Sequence, residues 1–107
     1  MVLPPLWRLQ ELFCLSTQYQ SGLEWKIAKA GYAPGDEAGR RNKKTGFYMV
    51  SVDNKVYLAH RIVYVMRTGE DIENFVIRHE ATNQNKDNRQ VLIKVPNKKI
   101  RIKRDDG

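Results

Sequence analysis

The chain has a single cysteine, Cys14, so it forms no internal disulfide and no cysteine-based zinc site. That scarcity predicts a reducing, cytoplasmic setting. Cys14 itself is expected to pack as a small buried hydrophobe rather than to act as a nucleophile. No apolar run approaches the roughly 18–20 residues that a membrane-spanning helix needs. The opening MVLPPLWRLQELFCL has no basic leader, and Arg8, Gln10 and Glu11 interrupt its apolar stretch, so it is not expected to be a signal peptide. Repeats and low-complexity segments are lacking too. There are only two histidines, His60 and His79, and both fall between Tyr57 and Arg89.

What is present is one domain's worth of chain: 107 residues, 41% hydrophobic and 29% charged, which predicts a folded protein rather than a disordered one. The net charge is +7 and is unevenly placed. Residues 1–39 carry 3 basic and 4 acidic side chains, whereas residues 40–107 carry 16 basic and 8 acidic ones. A polyanion is the natural partner of such a skew, and a merely solvated basic surface is the plain alternative.

Residues 4–15, PPLWRLQELFCL, read as an amphipathic helix opened by two prolines, with Leu6, Leu9, Leu12 and Phe13 at helical spacing. Its apolar face either packs on its own domain or makes a homodimer or accessory contact. After the connector STQYQS, GLEWKIA (22–28) alternates as a half-buried strand with Leu23, Trp25 and Ile27 on one face. Residues 30–46, with four glycines, predict a long loop or a pair of tight turns. FYMVSV and KVYLA then form a hairpin about Asp53-Asn54. That register sets Ser51 opposite Val56 and Met49 opposite Leu58 on one face, with Val50 and Tyr57 on the other. Both faces are largely apolar; one must meet protein, and the other is open to protein or ligand. HRIVYVMRTG is a short helix stopped at Gly69. Phe75–Ile77 is a short strand delivering Arg78 and His79 to a polar loop. VLIKV (91–95) and IRIKR (100–104) are expected to pair as a second hairpin about Pro96-Asn97. The fold class is therefore α+β: an N-terminal helix and connector (1–20), a core (21–95) with a small antiparallel sheet, hairpin and short helix, and a basic strand or arm (96–107).

Chemistry concentrates in RHEATNQNKDNR, residues 78–89. An imidazole at a strand end beside oxygen donors is a workable general base, and a hard cation held by those oxygens would stabilise the charge that builds up during phosphodiester hydrolysis. The alternative is a surface histidine in an asparagine-rich turn. His60 more often caps or packs than reacts. Arg61 either pairs with Asp71 or Glu73 or faces a phosphate. Two cationic runs flank the core. One is Arg40, Arg41, Lys43 and Lys44. The other is Lys98, Lys99, Arg101, Lys103 and Arg104, a rail on apolar support that suits phosphate tracking.

The order GLEWKIA, then GFYMVSVDNKVYLAHRIVYVMRTG, then FVIRHE and NQNKDNR resembles the HNH endonucleases of phage and bacteria, over roughly residues 21–92. The resemblance implies a ββα-metal scaffold, DNA as partner and Mg or Mn as cofactor. His79 matches the family's general base and Asn83 its turn asparagine. Asp87-Asn88-Arg89 resembles its DNR triplet, displaced by one residue, which makes Asp87 and Asn88 the implied metal ligands. Arg78 stands where the family has a ligand aspartate, reversing a charge. Val91 stands where an asparagine is expected, and a closing metal-ligand helix is not evident. The reading favoured by these residues is a DNA-binding protein on an HNH-like scaffold with cleavage weakened or lost, using Arg78, Arg89, Arg61 and the two basic runs. An active endonuclease or nickase and a non-catalytic protein-interaction module are the alternatives.

Overall fold

The computed structural model describes residues 2–29 and 31–97. The fold is α+β, with two helices and three small antiparallel sheets. In order these are α1 (Leu6–Leu12), β1 (Phe13–Leu15), β2 (Leu23–Trp25), β3 (Arg40–Arg41), β4 (Tyr48–Val52), β5 (Lys55–Leu58), α2 (Ala59–Thr68), β6 (Phe75–His79) and β7 (Leu92–Pro96).

Pro5 caps α1, and its carbonyl accepts the N–H groups of Arg8 and Leu9. The helix is shorter than its apolar periodicity predicts. Phe13 turns extended, with φ −128°, and Phe13–Leu15 pairs with β2 in the register Phe13↔Trp25. Seven helical residues are too few to be stable in isolation. What holds α1 is the burial of Leu9 and Leu12 against its own chain, each worth roughly 1.5–3 kcal/mol. The switch from helical to strand periodicity also corrects the expectation for Cys14. Phe13 points into the core, so its neighbour points out, and Cys14 is an exposed free thiol.

The segment expected as a long loop is tied down at several points. The Trp25 N–H donates to the Asp36 carbonyl and the Ala38 N–H to the Leu23 carbonyl, and Arg40–Arg41 joins β4 as a third strand. Ile27, expected on the buried face of β2, lies beyond the strand's end and is exposed.

The β4–β5 hairpin has the predicted register, Met49↔Leu58, Val50↔Tyr57 and Ser51↔Val56, with Asp53 and Asn54 at φ 51° and 70° in its turn. Val50, Val52 and Tyr57 face inward onto the helices. Met49, Ser51, Val56 and Leu58 form the outward face, of which Ser51 and Val56 are exposed and Met49 and Leu58 half-buried. Helix α2 ends at Gly69, whose left-handed φ of 75° lets its N–H return to the Val65 carbonyl. β7 pairs with β6, His79↔Leu92 through Phe75↔Pro96. The expected partner of 91–95, IRIKR, lies outside the described residues. One core unites α1, β1, β2, the hairpin, α2 and the β6–β7 pair. The N-terminal helix therefore packs on its own domain through Leu9 and Leu12.

Candidate functional site

Strand alternation sets the geometry at the end of β6. Ile77 is buried and His79 half-buried on the inner face, while Val76 and Arg78 face outward. The loop that follows is closed by Asn83, whose side chain acts as a second pair of backbone groups. Its Nδ2 donates to the Asp87 carbonyl and its Oδ1 accepts the Asp87 N–H, both at 2.9 Å.

Asn88 then becomes the point on which the site hangs. Its side chain is fully buried. Its N–H donates to the Gln20 carbonyl, its Nδ2 to the Ser21 carbonyl at 2.9 Å, and its own carbonyl accepts Arg67 Nη2 at 2.6 Å. Because Nδ2 is turned to Ser21, Oδ1 faces His79 Nε2, 2.6 Å away. An amide oxygen only accepts, so His79 carries its proton on Nε2 and presents Nδ1 as the basic nitrogen. Close approach of the chain segments requires Gly22. A Cβ there would stand 2.9 Å from Val63 Cγ2 and 3.0 Å from Asn88 Cβ, at a φ of +81°.

Three rings stack behind this arrangement. Phe47 lies 5.9 Å from His79 and 5.1 Å from His60, and the two imidazoles are 4.8 Å apart. His60 is buried, with no hydrogen-bond partner for Nδ1 among the described residues. Burial first, then repulsion from His79, Arg61 and Lys86, pushes its pKa down to about 4, against a smaller opposing pull from the Ile77 carbonyl. The pKa of His79 is also lowered, by burial first and by Lys86, with Asn88 and Asp87 opposing. Both rings are therefore neutral near pH 7, and His79 is available as a base.

The two implied metal ligands are otherwise engaged. Asp87 Oδ1 accepts the Arg89 N–H and Nε–H, and Oδ2 accepts Nη2 at 2.6 Å. Arg89 accordingly holds the Asp87 carboxyl below its ordinary range. Asn88 Oδ1 belongs to His79. Among the described residues, no group of three or more His, Cys, Asp or Glu side chains is placed to hold a metal ion. With these donors so arranged, neither the Asp87 carboxylate nor Asn88 Oδ1 is free of a protein partner that a Mg or Mn ion would have to displace.

The expected cations divide into two sets. Arg41 bonds the Gln20 side chain, the Tyr48 hydroxyl and the Gly46 and Asn85 carbonyls. Arg61 neither pairs with Asp71 or Glu73 nor stands free, but donates to the Phe75 and Ile72 carbonyls. Arg89 is held by Asp87. These three hold the fold. The side chains of Arg40, Lys43, Lys44 and Arg78 make no hydrogen bond or ion pair among the described residues. Lys98, Lys99, Arg101, Lys103 and Arg104 lie outside those residues. Sequence reasoning did not single out Arg67, Lys86, or the Gln20–Gly22 segment. Lys86 lies over the Phe47 ring at 5.4 Å, close enough to His79 to lower its pKa. The one usable signal was Gly22, a glycine directly before a strand, which marks close backbone approach.

No helix among the described residues is long and apolar enough to cross a membrane. No protein-family model, curated protein or solved structure matches this chain.

Proposed function

We propose that the chain binds DNA through its basic surface without cutting it, on a scaffold resembling that of the HNH endonucleases. The observation that carries this reading is the closure of the Asp87–Arg89 pair. It gives the loop's one interior carboxylate a cationic partner already, and the side chains of Arg40, Lys43, Lys44 and Arg78, without an ion pair among the described residues, support a phosphate-binding role. A cytoplasmic, reducing setting belongs to the same proposal and accords with an exposed free thiol at Cys14.

One feature favours a second reading, an active nuclease. His79 is anchored through Nε2 and has a lowered pKa, as a general base requires. A homodimer through the outer side of α1 would use Trp7, which is 64% exposed.

Supercoiled plasmid incubated with the protein and Mg²⁺ or Mn²⁺ separates these readings. The expected result is salt-sensitive binding with no nicking, and binding unchanged in His79→Ala. Metal-dependent nicking lost in His79→Ala establishes the nuclease and overturns the proposal. Absence of binding at low salt removes both DNA readings and leaves the interaction module.

A further inference from the structure

Among the described residues, Ser51 and Val56 on the outward face of the β4–β5 hairpin are exposed and Met49 and Leu58 only half-buried. Beside it lies a groove of about 510 Å³, within the range of roughly 300–1,000 Å³ typical of ligand sites. Its walls include Trp25, Lys29, Tyr32, Arg40, Met49 and Val56. Tyr32 stacks on Trp25 with centroids 5.1 Å apart and is itself 39% exposed, so its ring is backed by protein on one side and accessible on the other. Lys29 Nζ stands 5.5 Å from the Trp25 ring. Val56 is 52% exposed and, with Met49, supplies an apolar floor.

The net charge of this groove is positive. Neither Lys29 nor Arg40 has an ion-pair partner within 4 Å among the described residues. The carboxylate on its wall, Asp53, pairs with Arg8 at 2.8 Å and also feels Lys29 at longer range. Ser51 and Asn54 add uncharged hydrogen-bonding groups. The buried Trp25 Nε1–H has no acceptor among the described residues.

We infer that this groove holds an unpaired stretch of nucleic acid, with a base stacked on Tyr32 and the adjoining phosphates on Lys29 and Arg40. The inference rests on the DNA-binding reading and narrows its substrate class to strands that are single, flapped or melted. A base inside a duplex has both faces covered by its neighbours, so it has none to offer Tyr32, whereas an unpaired base does. A second copy of this chain is the poorer occupant, because the groove's free charges and the chain's net +7 are both positive.

The test uses the full chain and a labelled single-stranded oligothymidine beside a duplex, read by fluorescence anisotropy at low salt. Tyr32→Ala is expected to weaken the single strand by about ten-fold or more. Tyr32→Phe, which keeps the ring, is expected to bind as the wild type, and duplex binding is expected to be unchanged in both. Thermal melts report whether Tyr32→Ala has disturbed the Trp25 stack. Independently, in a Trp7→Phe background, where Trp25 is the remaining indole, saturating oligothymidine is expected to change Trp25 fluorescence and duplex is not. If both nucleic acids bind but neither Tyr32→Ala nor Trp25 emission distinguishes them, the groove assignment is wrong and the DNA-binding reading stands. If neither binds, both fall together.

Discussion

His60 is a buried imidazole with an orphaned nitrogen, and this has a thermodynamic consequence. Its folded-state pKa of about 4 lies below the ordinary 6.5, so between those pH values the unfolded chain binds the proton and the folded chain does not. Stability is therefore full above about pH 6.5 and is lost as pH falls towards 4, by on the order of 3 kcal/mol from this group. Urea unfolding at pH 7 and pH 5 is expected to show the loss, and His60→Phe is expected to flatten much of it. A pH dependence identical in wild type and His60→Phe would place the cause elsewhere. At the neighbouring ring, Asn88→Asp is expected to raise the His79 pKa, because a carboxylate 2.6 Å from Nε2 favours the imidazolium. Titration of the His79 ring resonances by NMR measures this directly. An unmoved or lower pKa would mean that Asn88 does not orient the ring.

At the scale of elements, the site is a junction of segments that are far apart in sequence. The Gln20–Gly22 stretch, α2 and the loop after β6 all meet at Asn88, and Arg67 and Arg41 hold that loop from two sides. Gly22 is where the approach is closest. Gly22→Ala meets both a left-handed φ and contacts at 2.9 and 3.0 Å, so it is expected to destabilise the protein by more than about 1 kcal/mol. It should also perturb the resonances of Asn88 and His79, some 66 positions on for the former. Chemical denaturation and an NMR comparison test this together. A variant as stable as wild type, with an unmoved His79, would show that the junction tolerates a wider spacing.

For the whole molecule, charge is the governing quantity. The skew of +8 over residues 40–107 is only partly available, since Arg41, Arg61, Arg67 and Arg89 are bound to protein carbonyls, a side-chain amide or a carboxylate. Under the proposed DNA-binding reading, the exposed turn that carries Lys43 and Lys44 is where a phosphate would be met. Each phosphate contact contributes about 0.9 to the slope of log affinity against log salt on duplex DNA, so replacing both lysines by alanine is expected to lower that slope by about 2. Binding with an unchanged slope would exclude this turn from the interface.

The amino-acid order alone determined those parts whose physics is local. The hairpin register follows from alternation about Asp53-Asn54. The end of α2 follows from Gly69, and the delivery of His79 follows from the short apolar strand before it. In each case the deciding interactions lie within a few residues of one another. Tertiary structure decided the rest. Cys14 faces out because Phe13 found Trp25 across a sheet whose pairing the helical spacing of 4–15 concealed. Four arginines became fasteners because carbonyls from distant segments came within reach of them. Asp87 forms an ion pair with Arg89 and Asn88 brackets His79, partners that lie outside what the triplet's spacing could show. A side chain's chemistry is set by which acceptor or charge reaches it first, and for these residues that partner is chosen by the packing of the whole chain.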